Sequence, residues 1–334
     1  MKSLRLPFIK CFTAIALSGY LLLLIMGGTP SPNDISANKS NLCGLVAFTM
    51  NSHHQIFQPE VIQQYNDSFK MWQGRWAAVY LASFYWDALY PVMYAHRMIS
   101  FDGYPAHTYG AVIAGWYILW FLAYCAIVSR LESWPLLMFG GFAGIVSNLA
   151  ATTTSIFLPW DVCSMFFWAW GLIAFERGKF KQIFLIAALG SCFKETTLLL
   201  LVPPLMSKVN QKWFYAGAVV VFFIICRALS THLLIGNLQE SGNPLWQKNI
   251  HYLFTSTANH PLFLDAGLVV TIWFTPVDRR WKYTCAAFLA GMFFMGGFNE
   301  YRQYLDILPI GLYGLDQAAR NSSKTPIKAV KPSQ

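Results

Sequence analysis

The hydrophobic residues of this chain fall into blocks of about 11 to 24, separated by short segments rich in lysine and arginine. Few folds are open to a chain arranged in this way. An apolar run of that length must satisfy its backbone amides within itself, which selects the α-helix, and blocks set in series have the layout of membrane spans. Of the 334 residues, 56% are hydrophobic and only 12% are charged, against about a quarter charged in an ordinary soluble domain. A water-soluble fold of this size could not hide so much apolar surface. The expectation is one all-α, polytopic membrane bundle in the cell membrane.

The blocks lie at about 11–27, 108–128, 134–157, 162–175, 182–193, 196–206, 213–229, 261–277, 283–298 and 303–315, which makes ten membrane segments. With the N-terminus inside, the cytoplasmic pieces are 1–10, 129–133, 176–181, 207–212, 278–282 and 316–334. They hold 3, 1, 3, 2, 3 and 4 Lys or Arg residues, 16 of the 24 in the chain. The short loops therefore follow the positive-inside bias, and an even number of segments returns the C-terminus to the cytoplasm. The expected domain is 1–318, with 319–334 a disordered cytoplasmic tail.

The basic start and apolar stretch from Cys11 to Met26 fit either a signal peptide or a first span. Gly-Gly-Thr-Pro-Ser-Pro after them has no convincing small-x-small cleavage site, so an uncleaved anchor is favoured. Residues 28–107 then form one long external loop. Within it, Trp76 to Ala95 is apolar enough to span, but a span here would invert every later loop and put their basic residues outside. Its Asp87, Pro91 and many Trp and Tyr residues suit a helix lying at the interface or re-entering from it.

Net charge is +9, yet no basic run is long enough to track a phosphate backbone, so no nucleic-acid partner is expected. Six of the seven cysteines lie in or beside apolar blocks and imply no disulfide framework. All seven histidines lie in 28–107 or in the polar 230–260 loop. His53-His54 lacks metal-ligand spacing and there is no Asp-x-Asp, so neither a metal nor another cofactor is expected.

Blocks 182–193 and 196–206 are too short to cross. As helices they reach only about 16–18 Å, against a hydrocarbon core of roughly 30 Å. They read as a pair that rises from the cytoplasmic side and returns, turning at Phe193-Lys194-Glu195-Thr196. Lys194 and Glu195 either face a watery cavity in the bundle or neutralise one another at the turn. Asn299-Glu300-Tyr301-Arg302 is a second concentration of charge, where Arg302 either clamps phosphate oxygens or pairs with Asp306 along one helix face. Arg227 and Asp161, at the ends of two other blocks, complete a set at one depth. Each alone also reads as a helix-end or snorkelling residue. In the long loop, Asp67 and Asp87 are carboxylates open to the outside. Asp87 among aromatic rings could bind a sugar or simply face water from an interfacial belt.

Phe193-Lys194-Glu195-Thr196-Thr197 followed by leucines, and Glu300-Tyr301-Arg302 followed by Tyr304 and Leu308-Pro309, resemble recurring motifs of bacterial multi-span proteins similar to GT-C glycosyltransferases. The Asp161 segment, leading through aromatics to Gly171-Leu172 and a basic loop, fits the same pattern, and the resemblance covers about 155–312. Lys194 stands where those proteins often have Arg, and no acidic pair follows the first block. The resemblance implies a bacterial inner-membrane transferase that moves a sugar from a polyprenyl-phosphate donor to a glycan, lipid or protein acceptor on the external face. Lys194, Glu195, Arg227, Glu300 and Arg302 would bind the substrate, and Asp67, Asp87 or Asp161 would act as base. A transporter or flippase, or a non-catalytic assembly subunit of envelope polysaccharide synthesis, are the alternatives.

Overall fold

Helices account for the apolar blocks of the sequence in a computed structural model that describes residues 2–27, 77–78, 81, 84–85, 88, 106–151, 159–235, 260–295 and 304–324. In chain order they are α1 (Lys2–Gly27), α2 (Ala106–Val128), α3 (Trp134–Ala151), α4 (Pro159–Glu176) and α5 (Phe180–Ser191). A 3-10 helix (Glu195–Leu201) then runs into the single turn α6 (Val202–Leu205), followed by α7 (Lys212–Ile235), α8 (His260–Phe274), α9 (Arg279–Met295) and α10 (Leu308–Lys324). The described residues contain no strand, and the chain is all-α. Among them one helix, Leu6–Leu24, is both long and apolar enough to cross a membrane.

The centre of the bundle is α4, whose Trp160, Val162, Met165, Trp168, Leu172 and Phe175 are all buried. A helix apolar on every side has to be surrounded by others. Phe288 of α9 lies 6.2 Å from Trp168, and Trp281 of α9 lies 5.4 Å from Phe175. On α1, Ala14, Ser18 and Leu21 turn inward at helical spacing toward α2 and α3, while Phe8, Phe12, Ile15 and Leu23 point out. Outward apolar faces recur around the bundle: Phe8 of α1 is 71% exposed, Phe214 of α7 is 72% exposed and Phe274 at the end of α8 is 81% exposed.

Two glycines set the approach of α3 to α10. A Cβ on Gly140 would stand 2.5 Å from Leu312 Cδ2, and one on Gly144 would stand 2.4 Å from Leu308 Cδ2 and 3.1 Å from Leu305 Cδ2. The four-residue spacing is the small-x-x-x-small pattern that lets helix backbones pack closely. Gly144→Val is expected to destabilise the protein by about 1–3 kcal/mol, the usual penalty of overpacking. Thermal unfolding of the purified variant checks this, and a parent-like midpoint would place α10 elsewhere.

The short connections gather at one end. Ser133 Oγ donates to Asp316 Oδ2 at 2.6 Å, and Arg320 bonds both Asp316 and Glu132. Arg280 donates to Ser207 Oγ at 2.6 Å and lies 4.5 Å from the Phe175 ring and 5.9 Å from the Phe180 ring. Lys10 Nζ donates to the Ser129 carbonyl at 2.5 Å. These contacts bring 129–133, 176–180, 207–211, 275–279, the start of α1 and the end of α10 to the same pole, which carries Arg130, Arg177, Lys179, Lys208, Arg279 and Lys282. Hydrogen bonds from Arg280 hold Asp278 below the ordinary aspartate range, while burial pushes the Glu176 carboxyl up.

The tail expected to be disordered from residue 319 is helical as far as Lys324. The i,i+4 pair Asp316–Arg320, the Arg320–Glu132 bridge and the Ser322 hydroxyl on the Ala318 carbonyl all extend α10.

Candidate functional site

The short pair predicted at 182–206 is present. The first arm is α5, and the second is the 3-10 helix continued by α6. Because Phe180 at the start of α5 and Ser207 after α6 both touch Arg280, the two arms run antiparallel. Pro203 and Pro204 explain the change of helix type, since neither has an N–H to close an α-turn on Leu199 or Leu200. The arms meet closely at Gly190, where a Cβ would stand 3.0 Å from Thr197 and 3.1 Å from Phe167.

The turn between the arms is tied from several directions. The Gly190 carbonyl accepts from the amides of Phe193 and Lys194, both at 2.9 Å. Lys194 is extended, with φ −157° and ψ 129°, and its carbonyl accepts from the Thr197 hydroxyl at 2.7 Å. That geometry drives the Lys194 side chain into the bundle, where Nζ lies 3.0 Å from Asp161 Oδ1 and 3.0 Å from Asp306 Oδ1. The Asp306 contact is also an aligned hydrogen bond. The second oxygen of Asp306 accepts from Thr196 Oγ1 at 2.5 Å. Ser164, one turn after Asp161 on α4, is buried on the same face.

The side chains of Lys194 and Asp306 are 0% exposed and that of Asp161 is 2% exposed. Lys194 therefore does not face a watery cavity as expected; it is enclosed by protein with its charge met by carboxylates from two other elements. An unpaired ammonium there would lose several kcal/mol of solvation, and opposite charge is what makes the position tenable. Asp306 belongs to this cluster through Lys194 and Thr196. The sequence suggested only its local i,i+4 relation to Arg302.

The cluster sits far from the basic pole. Asp161 to Glu176 spans about 22 Å of α4, the whole of α5 about 18 Å, and Leu308 to Arg320 of α10 about 18 Å. Three elements thus give one height, near 20 Å by the same helical rise. Glu195 and Thr196 are half-buried at that height, at the rim of the enclosed charges. Aromatic rings wall the turn: Phe193 lies 5.0 Å from Phe167 and 5.4 Å from Trp120, and Trp120 lies 5.9 Å from Trp116. The helical residues at 77–88 join this wall. Ala77 donates to the Cys192 carbonyl at 3.2 Å, and the Tyr85 ring lies 5.8 Å from Trp116. Trp116 is one turn beyond Trp120 on α2, so the Tyr85 ring stands farther from the basic pole than Phe193 does.

Arg227 is half-buried on α7, its guanidinium carbon 6.0 Å from the Phe223 ring. Its neighbour Cys226 reaches the thiol of Cys192, so this part of α7 stands beside the turn. Asp67, Asp87, Glu300 and Arg302 lie outside the described residues. Among the described residues, no group of three or more His, Cys, Asp or Glu could hold a metal ion. Of the residues singled out from the sequence, the structure joins Asp161 to Lys194 directly and brings Glu195 and Arg227 to the same height. Thr196 and Asp306 complete the cluster, and their contact spans 110 positions of chain. Comparison of the chain with protein-family models, with curated proteins and with solved structures finds no match.

Proposed function

We propose that this protein is a polytopic membrane glycosyltransferase, similar to GT-C enzymes, that takes a sugar from a polyprenyl-phosphate donor on the side away from the basic pole. The observation that carries the reading is the Asp161–Lys194–Asp306 cluster. Asp161 and Lys194 belong to two of the motifs on which the resemblance rests, Asp306 lies between Tyr304 and Leu308 of the third, and 112 positions separate Lys194 from Asp306. Three motifs scattered along the chain have a reason to recur together if they build one site.

The membrane reading has its own support. Exposed apolar side chains recur on other helices too, such as Leu119 on α2, Phe139 on α3, Leu185 on α5 and Phe294 on α9 at 52–58%, and large outward apolar surface is uncommon on soluble monomers. A basic pole at one end, with Lys194 and Arg227 the only lysine and arginine elsewhere among the described residues, is the charge layout of a multi-span protein with that pole in the cytoplasm. In a hydrocarbon layer about 30 Å thick, a cluster some 20 Å above the basic pole lies within the layer, in its outer half. Charges there are tolerated when buried in protein and paired.

The enclosed cluster is then the brace of the site, and the reacting groups stand around it. Glu195 projects from the braced turn, Arg227 stands beside it, and Glu300 and Arg302 precede Asp306 by a few residues. A guanidinium stabilises the carrier phosphate as it leaves with negative charge. Asp161 is held by Lys194 in the interior, so Asp67 or Asp87 of the external segment takes the proton of the acceptor hydroxyl.

Two measurements test the reading. Reporter fusions at Lys208 and Arg280 are expected on the cytoplasmic side, and fusions at Gln58 and Gly242 on the external side; an external Arg280 overturns the ten-segment arrangement. Purified protein in vesicles is expected to transfer label from polyprenyl-phosphate sugars to an endogenous acceptor extract. Transfer absent with every lipid-linked donor, from monodisperse and correctly inserted protein, removes the enzyme and leaves a binding or assembly role.

A further inference from the structure

Near the basic pole, α1 and α2 do not close on one another along their whole length. Between them, with Met138 of α3 as part of its wall, lies a groove of about 460 Å³, within the range of small-ligand sites. Its floor is wide because the residues there are small: Ala14 on α1, and Cys125 and Ala126 on α2. Pro7, inside α1, also lines it and interrupts the hydrogen-bond ladder where the groove nears the pole. Its flanks are apolar and open outward, with Leu6 50% exposed and Ile15 66% exposed. The polar rim is confined to the basic end, where Lys10 Nζ donates to the Ser129 carbonyl and lies 5.6 Å from the centre of the Trp134 ring. Among the described residues no carboxylate lies against Lys10. One carbonyl and one ring orient its ammonium without cancelling its charge. Arg130, exposed, follows Ser129 in the chain.

We propose that this groove binds one anionic glycerophospholipid, with an acyl chain along Ala14 and Ala126 and the phosphate at Lys10. The proposal rests on the membrane-spanning part of the reading above and not on the sugar-transfer part. Charge complementarity selects the occupant: a basic rim over an apolar slot at the cytoplasmic end of a bundle suits a lipid phosphate with its chain below it. The polyprenyl carrier acts at the opposite end of the bundle, some 20 Å away along the helices, so the groove is separate from the proposed site of transfer.

The test is native mass spectrometry of the full-length protein after exchange into an equal mixture of phosphatidylglycerol and phosphatidylcholine. The parent is expected to retain one phosphatidylglycerol molecule per chain. Lys10→Gln is expected to lower the preference for phosphatidylglycerol about fivefold, the effect of one basic residue at an anionic headgroup. Ala126→Trp, or the gentler Ala14→Leu if the first fails to fold, fills the slot and is expected to abolish retention while the protein stays monodisperse and membrane-inserted. Equal retention of both lipids, or unchanged retention in a folded slot-filling variant, overturns the proposal. Release of the protein from membranes by alkaline carbonate would instead show that the membrane reading has failed, whatever lipid is retained.

Discussion

Lys194→Met is expected to destabilise the protein by about 3–5 kcal/mol, the penalty of leaving a buried charge without its partner. The substitution keeps the length and apolar stem of the side chain but leaves Asp161 and Asp306 facing one another in an enclosed space. Asp306→Asn is expected to cost less, since the amide oxygen still accepts from Thr196 or Lys194 and the ammonium keeps Asp161. Replacing all three members together, as Asp161→Leu, Lys194→Met and Asp306→Leu, is expected to recover most of the loss, because a whole buried ionic group is often exchanged for apolar residues at little penalty. Thermal unfolding in detergent, followed by the fraction remaining monodisperse, reads each variant. An unchanged midpoint for Lys194→Met would mean that the ammonium reaches water, and the brace assigned to this cluster would be withdrawn.

The second large effect concerns turnover rather than stability. Arg302→Lys is expected to lower the rate of sugar transfer by about 10²–10³, the usual loss on removing one oriented donor to a developing anion. The variant keeps its charge and loses the planar two-pronged grip of guanidinium on phosphate. Glu300→Gln is expected to lose activity while folding and inserting as the parent does, because the two side chains are nearly isosteric. Initial rates with a polyprenyl-phosphate donor, on variants matched for monodispersity, decide the matter. Full activity in both variants moves the chemistry to Asp67 and Asp87.

What the sequence reveals here depends on the range of the interaction. The helices follow from apolar runs, a property of neighbouring residues, so every block from 11–27 to 303–315 reappears largely within a helix. The turn at Lys194 is equally legible, because two blocks too short to cross must fold back on one another. Asp306 shows the limit. From the sequence it has an obvious partner four positions away in Arg302, whereas the structure joins it to residues 110 and 112 positions away. No local spacing marks such a contact. The burial of Lys194 was hidden for the same reason: its neighbour Glu195 offered a plausible local partner, while Asp161 and Asp306 arrive from other parts of the bundle. The helix beyond residue 319 is not legible in the sequence because its composition is polar, and the pairs among Glu132, Asp316 and Arg320 that support it include a residue far back in the chain.

The dependence of the Lys194 cluster on α10 bears on how the protein is made. Synthesis proceeds from the N-terminus, and earlier elements fold before later ones emerge. Lys194 can therefore meet Asp161 while the chain is still growing, but Asp306 and the leucines that pack against Gly140 and Gly144 come only with the last helix. Until then the Lys194–Asp161 pair lacks its second carboxylate and the nascent bundle has an open seam along α3. Both are closed by the same short stretch, from Leu305 to Leu312. A chain arrested before that stretch would keep most of its helices and still present the quality-control proteases with a seam that the finished protein has covered.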